Sequence, residues 1–238
     1  MSASSPAAFR WSLVVPLKPL AVAKSRLADS AGPARAGLAL AFAQDTVAAA
    51  LACPAVRDVT VVTDDPLAGA ELAALGARVL PDDPAAGLNA ALRHGADAVR
   101  SRRPGAAVAA LNADLPALRG ADLNQVLDAA ASGPGRAFLA DAAGIGTTLL
   151  AAASGVPLDP AFGGASRDRH LASGAREITL PGVDSARRDV DTAADLRVAL
   201  ALGVGPRTAS IAARLVFAGG REGLSGGYPW GRSGVWCL

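Results

Sequence analysis

Three aspartates carry the clearest chemical signal in the sequence. Asp114 follows six apolar residues, 106–111, which predict a short strand buried on both faces. Asp189 and Asp191 are separated by one apolar residue, so both carboxylates point to the same side of an extended segment. Mg²⁺ prefers such oxygen ligands, usually together with substrate phosphates. The pattern indicates a metal site where strands end, although each aspartate could instead cap a turn or a helix.

Three cations lie just after the first predicted strand. Lys18, Lys24 and Arg26 occur within nine residues of sequence. A loop between the first strand and its helix is where α/β proteins commonly hold phosphates. The segment contains neither GxGxxG nor GxxxxGK[ST], which excludes a dinucleotide fingerprint and a P-loop. The sequence is compatible with two interpretations of these residues: a loop that binds phosphate, or a basic loop exposed to solvent.

Two further stretches have residues suited to ligand binding. Gly87 and Asn89 follow a turn-rich loop, where a glycine lets the backbone approach a base or a sugar, although an ordinary helix start explains them too. Hydroxyls, backbone N–H groups and a helix N-terminus at Ser166 could hold an anion. That second group comprises Gly146, Thr147, residues 162–166, Arg169 and His170. Its alternatives are Ser166 as a simple N-cap and His170 as a surface residue of a helix.

The elements that must position these residues alternate between strand and helix. We predict strands at 12–17, 58–63, 78–80, 106–111, 137–140, 147–152 and 177–180. We predict helices at 33–53, 67–75, from about 90 to 102, 121–131, 166–172, from about 192 to 202, and 207–215. This order predicts an α/β fold with a mostly parallel, mixed sheet and helices on both faces. We expect the chain to form one domain over 11–215, flanked by disordered tails at 1–10 and 216–238.

Composition excludes several classes of function. The net charge of +2 among 238 residues is too small to argue for a nucleic-acid or membrane partner. The two cysteines and two histidines form no zinc pattern, and no nucleophile elbow suggests a hydrolase. The apolar run near the N-terminus is too short for a signal peptide, and the longest apolar helix candidate is interrupted by polar residues. We therefore expect a cytoplasmic protein.

Five motifs, in order, resemble the phosphoenolpyruvate/2-phospho-L-lactate guanylyltransferases of deazaflavin coenzyme F-420 biosynthesis. They are VVPLKPL at 14–20, AKSRL at 23–27, GLNAA at 87–91, DLPAL at 114–118 and DVDT at 189–192, within a likeness that spans roughly 11–215. The resemblance implies a Rossmann-like nucleotidyltransferase fold related to the molybdenum-cofactor guanylyltransferases. The molybdenum-cofactor branch itself fits less well, because Lys18-Pro19-Leu20 stands where that branch has a glycine-rich loop.

The resemblance also implies roles for individual residues. Asp114, Asp189 and Asp191 match metal-binding carboxylates that hold Mg²⁺. Thr147, Gly163 and Ser166 match the residues that bind phosphoenolpyruvate, with Thr148 as the neighbouring alternative to Thr147. For GTP we expect contacts from Lys18, Lys24, Arg26, Gly87 and Asn89, and we count Lys24 with the three aspartates as catalytic.

The expected reaction joins GMP from GTP to phosphoenolpyruvate and releases pyrophosphate. The same reaction on 2-phospho-L-lactate or 3-phosphoglycerate is an alternative, as is nucleotidyl transfer to a sugar phosphate. A non-catalytic nucleotide-binding module is a further alternative, although binding alone does not require three metal carboxylates. The expected partners are GTP, a small phosphorylated carboxylic acid, and either a second copy of the chain or an enzyme that accepts the unstable product.

Overall fold

A seven-stranded mixed sheet forms the centre of the computed structural model, which describes residues 10–83 and 85–219. The strands are β1 Trp11–Pro16, β2 Val56–Val62, β3 Arg78–Leu80, β4 Val108–Leu111, β5 Arg136–Ala140, β6 Thr147–Ala152 and β7 Arg176–Glu177. Their order across the sheet is β3-β2-β1-β4-β6-β5-β7. Neighbouring strands pair in parallel except at β6, which is antiparallel to β4 and β5. The predicted mixed, mostly parallel sheet is confirmed.

Helices cover both faces of this sheet. They are α1 Ala28–Ala31, α2 Arg35–Leu51, α3 Pro66–Ala74, α4 Leu88–Arg102, α5 Gly120–Ala131, α6 Ser166–Ala172, α7 Asp184–Arg187, α8 Ala193–Leu202 and α9 Pro206–Gly219. Short 3-10 turns at Ser25–Leu27 and Gly32–Ala34 flank α1. Within the described ranges, no helix combines the length and the apolar character that a membrane crossing requires.

The alternation of side chains along β1 divides the core between the two faces. Leu13 and Val15 pack in the cluster that contains residues of α2 and α5, whereas Val14 packs in the cluster that contains residues of α4. Helix α4 lies very close to the sheet, since a Cβ added to Gly95 would stand 2.5 Å from Val14 Cγ1. Both core faces are therefore built mainly from aliphatic side chains packed at short range.

Several element boundaries differ from the prediction. The late strand is β7, Arg176–Glu177, rather than 177–180, because it pairs with β5 over only two residues at the sheet edge. Helix α7 was not predicted, and four residues are too few to show a helical period. Helix α9 begins at Pro206, a residue suited to the first helical turn, and its backbone continues to Gly219. Of the predicted tails, residues 1–9 and 220–238 lie outside the described residues.

Candidate active site

A cavity of about 470 Å³ lies beyond the carboxyl ends of β1 and β4. Its walls include Lys18, Lys24 and Arg26 from the segment after β1, Asn112 and Asp114 from the segment after β4, and Gly163 and Asp191 from later loops. The central edge of the sheet thus places cations and carboxylates from distant parts of the chain around one space. This is the position where open α/β sheets bind their ligands.

Lys24 joins two of the predicted carboxylates directly. Its ammonium donates hydrogen bonds to Asp114 Oδ2 and, at 2.7 Å, to Asp191 Oδ1. Burial alone would lower the pKa of Lys24, but the adjacent charges of Asp114 and Asp191 raise the pKa overall. Lys24 also has a left-handed backbone with φ 55°, which costs a residue other than glycine about 1–3 kcal/mol. The residue with the strained backbone is thus the same lysine whose ammonium lies between two carboxylates.

Asp189 belongs to the same electrostatic cluster. Burial, followed by the charges of Asp114, Asp141 and Asp191, raises the pKa of Asp189 to about 7. The backbone brings these segments together, because the Val190 N–H donates to the Asp114 carbonyl at 3.0 Å and the Val190 side chain is fully buried. The structure therefore places the three predicted aspartates within one negatively charged region, even though Asp114 and Asp189 are far apart in sequence.

The chemistry of this cluster fits a hard divalent cation, although its present arrangement is organised around an ammonium. Within residues 10–83 and 85–219, no group of three or more His, Cys, Asp or Glu side chains is set out to hold a metal. Asp114 Oδ1 is nevertheless buried without a hydrogen-bond partner, and Asp189 adds a further carboxyl group whose pKa is raised by burial and then by the neighbouring carboxylates. Clustered carboxylate oxygens, one of them unpartnered, are suitable ligands for Mg²⁺.

Thr46 of α2 fixes the segment that carries Asp114. Its side chain is fully buried, its hydroxyl accepts a hydrogen bond from the Leu115 N–H at 3.1 Å, and the same hydroxyl donates to the Phe42 carbonyl at 2.7 Å. The sequence prediction missed this residue. The polar residues Gln44, Asp45 and Thr46 within a largely apolar helix were the available signal, but they do not reveal which loop the Thr46 hydroxyl contacts.

We expect Thr46→Val to lower the free energy of unfolding by about 1–3 kcal/mol, because it leaves the buried Leu115 N–H without an acceptor. Thr60→Val is the matched control, since the Thr60 hydroxyl is buried and has no hydrogen-bond partner. Urea unfolding of both variants should show a clear loss for Thr46→Val and little change, or a gain, for Thr60→Val. Equal effects of the two substitutions would contradict this role of Thr46.

Of the three residues predicted to bind the acceptor, Gly163 lines the cavity, whereas Thr147 and Ser166 are buried and do not line it. Because β6 is antiparallel to β4, Thr147 begins its strand at the edge where β4 ends, and Asn112 Nδ2 donates to the Thr147 carbonyl at 3.3 Å. Gly163 lines the cavity with φ 98°, and Ser166 is the buried first residue of α6. The Thr148 hydroxyl donates instead to the Ala186 carbonyl at 2.7 Å.

Gly87 and Asn89 do not line this cavity, whereas Leu88 between them does. Gly87 precedes α4 with φ 90°, a backbone conformation that requires glycine. Asn89 holds the Phe162 backbone through two hydrogen bonds, donating to its carbonyl at 3.1 Å and accepting from its N–H at 2.8 Å. In the structure, the Asn89 amide thus supports the loop that contains Gly163.

The alternative interpretation from the sequence, that His170 is a surface residue of its helix, is wrong. Its side chain has no exposed surface and contacts the rings of Phe138 and Phe162, with centroids 5.6 and 5.2 Å away. Both aromatic residues lie outside α6, so helical spacing within α6 could not indicate that this side chain is buried.

The burial of His170 predicts a pH dependence of stability. Burial, followed by the positive charges of Arg136 and Arg169, lowers the pKa of His170 from 6.5 to about 4, and Asp159 opposes this only weakly. Only the unfolded chain binds the proton between these values, so the contribution of His170 is complete above pH 6.5 and is lost as the pH falls toward 4. The slope reaches about 1.4 kcal/mol per pH unit.

We expect urea unfolding at pH 7.5, 6.5, 5.5 and 4.5 to give a flatter acid limb for His170→Gln than for the wild type. The difference between the two proteins is the informative quantity, because the raised pKa of Asp189 acts on stability in the opposite direction. Parallel profiles for the two proteins would contradict a neutral, buried His170.

Comparison with known proteins identifies the family. Residues 41–178 match the family model of the MobA-like NTP transferase domain. The phosphoenolpyruvate guanylyltransferase of Streptomyces avermitilis is 71% identical over 211 residues, which cover 88% of this chain and 97% of that protein. The chain belongs to the phosphoenolpyruvate guanylyltransferase family. Its relative of the same name from Thermomonospora curvata is 62% identical, over 92% of this chain and 96% of that protein.

Solved structures share the fold of this guanylyltransferase family member at low sequence identity. A nucleotidyl transferase from Methanothermobacter thermautotroptrophicus is 21% identical with a TM-score of 0.56, covering 81% of this chain and 97% of that chain. A cytidylyltransferase from Leptospira borgpetersenii is 10% identical with a TM-score of 0.53, covering 94% of this chain and 100% of that chain. These similarities establish the architecture alone.

Asp141 is a further acidic residue of this guanylyltransferase family member that sequence reasoning missed. It directly follows β5, just as Asp114 follows the end of β4, so the same signal was available. Its carboxylate accepts hydrogen bonds from the Ile145 and Gly146 N–H groups at 2.9 and 2.8 Å and contributes to the raised pKa of Asp189, which burial chiefly causes. Asp141 thus orders the turn before Thr147 and adds negative charge to the site.

Proposed function

We propose that this chain transfers the guanylyl group of GTP to phosphoenolpyruvate, giving enolpyruvyl-diphospho-guanosine and pyrophosphate. A phosphate oxygen of the acceptor attacks the α-phosphorus of GTP. The bond from that phosphorus to the oxygen bridging to the β-phosphate breaks, and pyrophosphate leaves with the electron pair. The reaction needs no covalent enzyme intermediate, so catalysis consists of positioning and charge neutralisation.

One observation carries this proposal: Lys24 meets Asp114 and Asp191 inside a cavity at the carboxyl edge of the sheet. Relatives that cover nearly the whole of both chains are named for the same reaction, which supports its extension to this chain. A module that only binds a nucleotide gains nothing from several carboxylates at its phosphate site, because they repel the ligand.

The cations of the cavity are proposed to bind the triphosphate. Both reactants are multiply negative, so their approach is unfavourable unless positive groups offset the repulsion. Lys18, Lys24 and Arg26 all line the cavity and carry charges suited to this. Arg26 lies 3.7 Å from Asp191 and has three quarters of its side chain exposed, so it is free to contact an incoming phosphate.

Asp114, Asp189 and Asp191 are the residues that would hold Mg²⁺. When bound, the ion would neutralise phosphate charge and polarise the phosphorus–oxygen bonds of the nucleotide. The unpartnered Asp114 Oδ1 and the proximity of the three carboxyl groups support this assignment. The protein itself keeps the carboxylates in place through Thr46 and through the Val190 hydrogen bond to the Asp114 backbone.

Thr147, Gly163 and Ser166 are proposed to hold the acceptor. Gly163 lines the cavity, and its positive φ lets the backbone turn without a Cβ between it and the ligand. The Thr148 hydroxyl is already used by the Ala186 carbonyl, which favours Thr147 over Thr148 as the acceptor contact.

A turnover assay with parallel acceptors tests this function. The purified chain receives GTP, Mg²⁺ and either phosphoenolpyruvate, 2-phospho-L-lactate, 3-phosphoglycerate or glucose 1-phosphate, and mass spectrometry identifies the products. We expect the guanylylated product chiefly from phosphoenolpyruvate, and none after chelation of the metal; ATP and CTP in place of GTP measure the choice of base. Preference for another acceptor would correct the substrate, and no pyrophosphate release with any acceptor would refute the enzyme assignment.

A further inference from the structure

His170 is a buried titratable side chain that the proposed reaction does not use directly. It is fully buried between the rings of Phe138 and Phe162, yet both of its ring nitrogens have polar partners. Nδ1 lies 2.9 Å from the Thr147 hydroxyl, and Nε2 lies 3.1 Å from the Ala161 backbone nitrogen. A single side chain of α6 thus contacts the start of β6 and the loop that leads to Gly163.

The backbone contact fixes the protonation of the ring. The Ala161 N–H can only donate, so Nε2 must accept, and a neutral imidazole then carries its proton on Nδ1. That Nδ1–H donates to the Thr147 oxygen. Burial and the neighbouring arginines lower the pKa of His170 to about 4, which keeps the ring neutral at physiological pH.

This arrangement determines what the Thr147 hydroxyl can do. Its oxygen accepts from His170, and no acceptor for its own proton occurs among the described residues. The hydroxyl is therefore available as a donor, and a donor selects a ligand oxygen that carries no proton, such as that of a carboxylate or a phosphate.

The same ring also supports the loop on the other side of the acceptor position. Its Nε2 holds Ala161, two residues before Gly163, and the adjacent Arg169 donates to the Ala161 and Gly163 carbonyls. Asn89 fixes Phe162 between them. The loop is therefore held at three consecutive residues, and His170 is the one of these side chains that also reaches Thr147.

We propose that His170 is a positioning residue for the acceptor, which aims the Thr147 hydroxyl as an obligatory donor and fixes its spacing from Gly163. The inference rests on the proposed function, since it assumes that Thr147 and Gly163 contact the anionic acceptor. His170 itself does not touch the substrate, and it acts through Thr147 and through the loop at 161–163.

A double-mutant cycle tests this inference. We expect His170→Phe and Thr147→Val each to raise KM for phosphoenolpyruvate by on the order of tenfold. Thr147→Val removes the proposed hydrogen bond to the charged ligand, and His170→Phe removes the contact that orients it. The double variant should raise KM by clearly less than the product of the two single effects, since part of the His170 effect passes through that hydroxyl; the part that remains reports the loop contact at Ala161. KM for GTP should stay within about twofold, because the triphosphate contacts are unchanged.

His94→Gln is the control, since His94 is the other histidine of the sequence, lies on α4 and contacts neither Thr147 nor the 161–163 loop. It should leave both KM values unchanged. An unchanged KM for phosphoenolpyruvate in folded His170→Phe, or independent effects that multiply in the double variant, would overturn the inference. Wild-type protein that forms no product from any phospho-acid would instead refute the proposed function, and this inference with it.

An NMR measurement on the wild type avoids the risk that a His170 variant fails to fold. In protein with ¹⁵N-labelled histidine, the two ring nitrogen shifts of His170 report which nitrogen is protonated. We expect a neutral ring with its proton on Nδ1 at pH 7. A proton on Nε2, or a doubly protonated ring, would overturn the inference, because the Thr147 hydroxyl would then face a different partner.

Discussion

We expect Asp114→Asn to lower kcat for guanylyl transfer by on the order of a hundredfold or more, because one preorganised charge is lost from a phosphoryl-transfer site. Asparagine keeps the size of the side chain, so the Thr46 anchor at Leu115 and the Val190 hydrogen bond to the Asp114 backbone can remain. Asp191→Asn should have an effect of the same order, since Asp191 shares Lys24 with Asp114. Steady-state kinetics with GTP and phosphoenolpyruvate measure both.

Asp128→Asn is the matched control for these substitutions. Asp128 is exposed on α5, where its carboxylate accepts a hydrogen bond from Asn124, and it lies outside the cavity. Its kcat should equal that of the wild type. If folded Asp114→Asn kept a kcat within about threefold of the wild type, well below the loss expected for one electrostatic group, the carboxylate cluster could not be the reaction centre.

Lys24→Met should also lower kcat by on the order of a hundredfold, for a different physical reason. The ammonium now neutralises Asp114 and Asp191, and the proposed reaction requires the same charge beside the triphosphate. Methionine retains the apolar stem of the side chain and removes only the charge. The substitution therefore leaves anionic side chains facing an anionic nucleotide.

Lys24→Arg distinguishes the effect of the positive charge at residue 24 from the effect of the compact shape of the lysine ammonium. Arginine retains the positive charge but has a planar, wider group that cannot reproduce the compact contact between two carboxylates. We expect a kcat between those of Lys24→Met and the wild type. Wild-type kcat in folded Lys24→Met would show that the lysine is only a structural counter-ion.

The fold was predictable from the sequence because its signals are local. The bounds of β3 and β6 agree with the predicted ranges, since turn residues mark where these strands begin or end: Gly76 and Pro81 beside β3, and Gly146 before β6. The α/β alternation then restricted the topology to a mostly parallel sheet. The short helix α7 and the two-residue strand β7 were missed or misplaced, because elements of that length have no period to detect.

The contacts of the site were less predictable, because they join residues that are distant in sequence. Lys24 was assigned to the nucleotide from its position after β1, but its contacts with Asp114 and Asp191 span 90 and 167 residues. The pairing of Asn89 with Phe162 spans 73 residues, and no local pattern indicates it. Side-chain type indicated the chemistry, whereas the fold alone determined the partners.

The most direct test of the account is a crystal structure with Mn²⁺ in place of Mg²⁺ and a non-hydrolysable GTP analogue, with the metal located by anomalous scattering. We expect Mn²⁺ bound to Asp114 and to the Asp189–Asp191 pair, with the Lys24 ammonium on a phosphate oxygen of the nucleotide. Mn²⁺ located away from these carboxylates, or Lys24 still bound between Asp114 and Asp191 with the nucleotide present, would contradict it.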